Sequence, residues 1–195
     1  MGQRHLALLV FDDVEVLDFA GPFEVFSVTQ WQSESKPFKV SLVAEKPGPV
    51  MARNGLSINP HFGLHDHPPV DIILVPGGFG TRREMLNPVI LDWVRKQAQT
   101  AELVLSVCTG SLVLGAAGVL DGLAATTHYL RFDLLRQVAP RCDVHEHQRV
   151  VDAGKIVTSG GIAAGLDMSF YVVARLLGKD VAVETAEYME YSWRG

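Results

Sequence analysis

The chain has 195 residues, 48% of them hydrophobic, a net charge of −5 and two cysteines, enough to bury a full core, most simply as one domain over residues 1–195. Its charges form no long single-sign run and no stretch is long and apolar enough for a bilayer, so neither a nucleic-acid groove nor a membrane partner is expected. Two cysteines without a C-x-x-C pair give no disulfide framework, structural zinc site or dithiol motif, and cytoplasmic residence is the default expectation.

The apolar run Leu6–Phe11 predicts a first strand, and Asp12 and Asp13 directly after it argue against a signal peptide. Pro22, preceded by Gly21 and followed by Glu24, fits the first turn of a helix. Phe38–Ala44 reads as the next strand. Residues 48–59 alternate apolar and polar around Asn54-Gly55, a hairpin signal that predicts a small antiparallel addition at the sheet's edge. A buried-type strand over 71–75 runs into Pro76-Gly77-Gly78, and a helix over 88–99 follows, with Ile90, Leu91 and Val94 at helical spacing. Leu103–Val107 is a further strand, ending at Cys108 and a Leu/Val/Ala-rich helical stretch over 109–117. Beyond it come a short strand over 122–127 that ends near His128, a helix over 131–138, and a strand pair over 148–152 and 155–158 across Ala153-Gly154. Ser159-Gly160-Gly161-Ile162 opens a long helix over 163–177, and residues 181–190 form a closing one. Strands alternating with helices imply an α/β fold with a mainly parallel sheet and right-handed crossovers. No repeat, low-complexity run or linker marks a domain boundary.

Cys108 stands where a strand turns sharply into a helix, so its sulfur faces a helix N-terminus whose unpaired N–H groups favour the thiolate. The competing reading is a small, inert core thiol. The Pro76-Gly77-Gly78 turn lets backbone approach a ligand closely, and two such strands side by side in a parallel sheet open on the same crevice. The N–H groups of Gly78 and Thr109, with Gly77 beside them, then converge on a developing negative charge; the plainer alternative is a tight turn.

A cysteine nucleophile needs a proton mover. Seven histidines are available. His61, His65 and His67 have a spacing that can hold a metal, but their loop has no periodicity to preset the ligands, and no metal site is expected. His145 and His147 alternate in an exposed strand, whereas His128, at a strand's end, is better placed for the crevice. No histidine follows Cys108 directly, so a pair of adjacent Cys and His is excluded. Cys142, after Pro140-Arg141, reads as structural. The pair Arg82-Arg83 reads as a solvated helix start, with contact to an anionic substrate as the alternative. Composition does not separate Asp18 from Asp12, Asp13 and Glu15, and a carboxylate at a helix start is its plain reading.

Five ordered blocks narrow the choice: residues 17–22 (LDFAGP), 75–78 (VPGG), 106–111 (SVCTGS), 125–128 (ATTH) and 158–162 (TSGGI). Together they resemble the DJ-1/PfpI superfamily, and within it most closely the isocyanide hydratase branch, over residues 6–191. The ligand-binding domains of AraC-type transcription regulators share several of the same blocks. The resemblance implies a flavodoxin-like sandwich, similar to class I glutamine amidotransferases, that forms a homodimer and places Cys108 on a strained turn. It further implies that Asp18 hydrogen-bonds the cysteine and serves as acid or base, where many superfamily members carry a glutamate. Thr109 matches the hydratase branch. The protease-like branch has histidine there, which sets peptidase activity aside.

On this reading Cys108 and Asp18 are the catalytic pair, Gly77, Gly78 and Thr109 the substrate-binding backbone, and His128, Gly160 and Ile162 the supporting residues around them. The implied reaction hydrates a small-molecule isocyanide to an N-substituted formamide through a covalent thioimidate, with no cofactor or metal. The alternatives are another cysteine enzyme of this scaffold acting on glyoxals, and a non-catalytic redox or ligand sensor. Regulators with these blocks carry a helix-turn-helix domain after the core, and no such segment is expected in a chain that stops at Gly195.

Overall fold

The computed structural model describes residues 2–30 and 32–195. The runs Leu6–Leu9, Ile72–Val75 and Leu103–Leu105 are buried throughout, as strands covered on both faces by helices must be. The first half of the chain forms β1 (Arg4–Leu9), α1 (Val16–Val28), β2 (Phe38–Ala44), β3 (Val50–Met51), β4 (Ser57–Ile58), β5 (Phe62–Gly63), β6 (Ile72–Val75), α2 (Thr81–Glu84) and α3 (Pro88–Thr100). The second half adds β7 (Leu103–Val107), α4 (Gly110–Ala116), β8 (Ala124–Ala125), α5 (Phe132–Val138), β9 (Asp143–Val144), β10 (Val150–Asp152), β11 (Ile156–Ser159), α6 (Ala164–Leu177) and α7 (Lys179–Tyr188).

Seven strands in the order β10-β11-β7-β6-β1-β2-β5 make one sheet, parallel except for β10. Without its two edge strands this is the 2-1-3-4-5 order of flavodoxin-like folds, whose ligands bind outside the strand carboxyl ends near the order reversal. That reversal falls between β1 and β6. Helices α1, α6 and α7 pack on one another, and α4 packs with α2, α3 and α5, giving the two helical layers of the sandwich.

Several boundaries differ from the sequence expectation, each for a tertiary reason. Helix α1 begins six residues before Pro22, which lies inside it. Its start is anchored by the Glu15 N–H donating to the Gly77 carbonyl at 2.9 Å, a contact with another strand's loop that outweighs the backbone hydrogen bond forfeited at the proline. The Asn54-Gly55 hairpin forms, but as its own two-stranded ladder, while β5 closes that side of the main sheet. It is fastened to the loop after β1 by Asp13 N–H to Met51 O at 2.8 Å and Arg53 N–H to Val14 O at 3.0 Å. The strand expected over 122–127 shrinks to Ala124–Ala125, paired with β9, because the Thr126 N–H turns instead to Thr158 Oγ1 at 2.9 Å. His145 lies just past β9 and binds Asp143, and His147 is not in a strand.

Helix α4 must start close against β6. A Cβ built on Gly110 would lie 2.0 Å from the Val75 carbonyl oxygen, so this first helical position tolerates no side chain. Alanine ordinarily favours a helix over glycine by about 1 kcal/mol, yet Gly110→Ala is expected to destabilise by roughly 1–3 kcal/mol or more. Gly2→Ala, where nothing lies within 4 Å, is expected to be neutral. Urea midpoints of the two variants against wild type test the sign.

Candidate active site

Four strand ends converge on the site. Asp18 follows β1 on the first turn of α1, Gly77 and Gly78 follow β6, Cys108 and Thr109 follow β7, and Gly160 and Ile162 follow β11. Cys108 has φ 57°, a left-handed conformation that costs a non-glycine residue about 1–3 kcal/mol and persists only where its surroundings enforce it. Here they do. Its N–H is shared between the carbonyls of Ser159 at 3.2 Å and Gly160 at 3.1 Å. Its carbonyl accepts from Ser111 Oγ at 3.2 Å and Thr127 Oγ1 at 3.0 Å. The elbow expected from the sequence is therefore clamped by three other segments.

Asp18 is fully buried. Its Oδ2 accepts from the Gly77 N–H at 3.0 Å, and its Oδ1 has no hydrogen-bond partner among the described residues. The carboxyl thus reaches across to β6's loop instead of capping its own helix. Gly77 makes this approach feasible, since a Cβ there would stand 2.6 Å from Thr109 N and 2.8 Å from Asp18 Oδ2. Gly77 positions the acid; its N–H is not open to a substrate. The Gly78 N–H, expected to serve an oxyanion, donates to Thr109 Oγ1 at 3.0 Å, and Thr81 Oγ1 binds the Gly78 carbonyl at 2.8 Å. The first of these contacts engages the Gly78 donor within the fold, and the backbone N–H groups of Thr109 and Ile162 favour the charged form of the Cys108 thiol.

Electrostatics divide the two acids. Burial pushes Asp18 up to about 7, reinforced by Glu15 and opposed by the Gly77 N–H, the Cys108 side chain and the Ile162 N–H. Burial also pushes the Cys108 thiol up to about 12, with the neighbouring Asp18 carboxylate adding to the rise and the Thr109 and Ile162 N–H groups working against it. Desolvation beside a carboxylate works against the thiolate expected from the sequence, and the N-terminal N–H groups at α4, a helix of seven residues, work in its favour. At neutral pH the pair holds a thiol next to a carboxyl poised between its two forms.

Above the pair lies a crevice of about 410 Å³. His128 lines it, with Nδ1 accepting from the Leu130 N–H at 3.2 Å, and burial together with Arg131 and Arg82 lowers its pKa. It makes no hydrogen bond to Cys108 or Asp18, so it borders the site without joining the pair. Ile162 has φ 54°, and its backbone N–H works against the rise in both pKa values. Sequence reasoning gave no role to Ser111 and Thr127, which lie within two of the blocks above, or to Thr81, whose hydroxyls stabilise the loops, and it did not single out Arg53 and Arg131 on the crevice wall.

The histidine loop is engaged elsewhere. His61 Nδ1 accepts from the Leu42 N–H at 2.9 Å, and His67 Nε2 accepts from Trp93 Nε1 at 2.9 Å. Among the described residues no group of three or more His, Cys, Asp or Glu side chains is arranged to hold a metal. Cys142 is half-buried, its thiol pushed up by burial and then by Asp143 and Asp121. No helix among the described residues is long and apolar enough to cross a membrane.

A flavodoxin-like sandwich with a strained cysteine elbow at its switch-point crevice and a carboxyl beside the sulfur defines a class of α/β cysteine proteins. The chain belongs to the DJ-1/PfpI family, whose sequence profile matches residues 4–175. It is 39% identical over 189 residues to an isonitrile hydratase of Pseudomonas putida, covering 96% of this chain and 78% of that protein. It is also 30% identical over 173 residues to the HTH-type transcriptional regulator CdhR of Pseudomonas aeruginosa, covering 83% of this chain and 51% of the regulator. Among solved structures, a THiJ/PfpI family protein from Pseudomonas syringae superposes with a TM-score of 0.89 at 30% identity, over 100% of this chain and 78% of that one. Drosophila melanogaster DJ-1beta, at 20% identity and a TM-score of 0.83 over 99% of this chain and 100% of that one, shares the fold.

The raised Asp18 pKa carries a stability consequence. Below about pH 4 both folded and unfolded chains hold the proton. Between about 4 and 7 only the unfolded chain releases it, so the carboxyl increasingly disfavours folding as pH rises, and above about 7 the loss is complete. Asp18→Asn removes that penalty. The variant is expected to gain stability relative to wild type through this window, by on the order of 4 kcal/mol at its upper end. Urea midpoints at pH 5 and pH 8 check it, and an equal difference at both would refute the assignment.

Proposed function

We propose that this protein is a cysteine-dependent isocyanide hydratase. The observation that carries the reading is the buried Asp18 carboxyl, fixed through Oδ2 with Oδ1 unpartnered, beside a thiol on a strained elbow at a crevice floor. Similarity to an isonitrile hydratase over almost the whole chain supports it.

The Asp18 carboxylate takes the Cys108 proton as the sulfur bonds to the terminal carbon of R–N≡C, then passes that proton to the same carbon, giving the thioimidate R–N=CH–S–Cys108. Water adds next. Asp18 removes its proton and protonates the nitrogen, forming R–NH–CH(OH)–S–Cys108. Collapse breaks the C–S bond, releases R–NH–CHO, and returns the hydroxyl proton through Asp18 to the sulfur. One water is consumed and enzyme is regenerated. A base near pKa 7 suits a group that must accept and return the same proton at neutral pH. The Thr109 and Ile162 N–H groups stabilise the sulfur as charge moves on and off it. Homodimer formation and cytoplasmic residence belong to the same proposal.

Cys108→Ala and Cys108→Ser are expected to abolish formamide production while preserving the fold, and Asp18→Asn to lower turnover by ~10²-fold or more. Because the carboxylate form is the active base, kcat/KM should rise with pH through about 7 and level off above it, and this limb should vanish in Asp18→Asn. Steady-state kinetics with cyclohexyl isocyanide between pH 5 and 9 measure all three. A ligand sensor, the reading favoured by the regulator relative, needs the thiol's surroundings and no proton shuttle; binding without turnover would support it. Light scattering at micromolar protein is expected to give twice the chain mass.

A further inference from the structure

The crevice wall carries three guanidinium groups, from Arg53, Arg82 and Arg131, and a single carboxylate, from Glu15. Glu15 is already paired with Arg53 at 3.1 Å. Among the described residues Arg82 and Arg131 form no salt bridge. Each is held in place by backbone instead: Arg82 Nη1 donates to the Gly78 carbonyl at 2.9 Å, with its guanidinium 5.1 Å from the Phe79 ring centroid. Arg131 Nη1 donates to the Leu130 carbonyl, also at 2.9 Å.

These charges act on one another. Arg82 is held below its ordinary pKa by burial and then by Arg131 and Arg53, and the same Arg131 and Arg82 depress His128. Two like charges fixed on the wall of a partly enclosed crevice repel, and the repulsion is relieved when an anion enters between them. Planar guanidinium forks with free N–H groups match the two oxygens of a carboxylate. Phe79, Tyr129 and Leu130 line the same crevice as large exposed apolar side chains, leaving an apolar stretch along the wall that bears the two cations.

We infer that the substrate's R group carries a carboxylate bound by Arg82 and Arg131, so that the preferred substrates are isocyano carboxylic acids. This rests on the hydration reading for the isocyanide end. The anion site itself stands on the arginines, and the two are tested apart.

The first measurement compares kcat/KM for isocyanoacetate with that for its methyl ester. Intrinsic reactivity differs between the two compounds but cancels when each variant's acid-to-ester ratio is divided by the wild-type ratio. Arg82→Gln and Arg131→Gln are each expected to lower the ratio by about tenfold, the loss of a charged hydrogen bond. Arg83→Gln, whose guanidinium binds Glu84 and the Asp12 carbonyl outside this crevice, should leave it unchanged. Arg82→Lys, which keeps the charge without the fork, should fall between, a graded response that distinguishes lost recognition from lost folding.

The second measurement needs no turnover: calorimetric binding of N-formylglycine and its neutral amide, with the acid expected to bind at least about tenfold more tightly and to lose that margin in both glutamine variants. Hydration of the ester with no ratio change in the variants and no preference for N-formylglycine overturns the anion site and leaves the hydratase reading intact. Preference for N-formylglycine without hydration of either isocyanide supports the anion site and refutes the hydratase reading. No preference and no hydration refute both.

Discussion

The hydrogen bond from the Gly77 N–H to Asp18 Oδ2, beside the Glu15 N–H to Gly77 carbonyl contact, ties the loop after β6 to the helix after β1 and fixes the carboxyl on which the site is built. It draws a carboxyl into a position with no solvent exposure, where desolvation moves its pKa to about 7. It also leaves the second oxygen without a hydrogen-bond partner among the described residues. Both loops meet at the reversal in strand order between β1 and β6, so the sheet topology and the chemistry share one location. The glycine at this point is required by space: any side chain would collide with Thr109 and with the carboxyl it is meant to hold.

The site is costly to the fold. A buried carboxyl whose pKa burial raises, a cysteine at positive φ and an isoleucine at positive φ each lower stability locally, and all three belong to the candidate site. The surrounding network offsets this. Backbone carbonyls of Ser159 and Gly160 and hydroxyls of Ser111 and Thr127 over-determine the Cys108 conformation, so the strain is held at the candidate site.

Burial also bears on the proposed nucleophile. With the Cys108 thiol pushed up by burial and by the neighbouring Asp18, the proposed hydration draws on a base placed to accept the proton during attack, and on that reading cysteine and aspartate act as one unit. The arginines lie on the crevice wall, where, on the reading proposed above, their charge would select among substrates.

From sequence alone came the alternation of apolar strands with helices, the strand bounds of β2 and β7, the hairpin at Asn54-Gly55 and the cysteine at a strand-to-helix corner. These follow from short-range periodicity and turn chemistry, which the chain carries locally. Asp18 was separable from its acidic neighbours only through its place in a recurring block, because composition contains no record of which carboxylate faces inward. Tertiary structure alone decided the rest. It started α1 ahead of Pro22 through a contact with Gly77, engaged the Gly78 N–H with Thr109, brought Ile162 from a distant strand end to the crevice, and gathered Arg53, Arg82 and Arg131 on one wall. Those outcomes depend on which loops the sheet order brings together, and pKa values depend on the water excluded when they meet; neither is a property of any local stretch of chain.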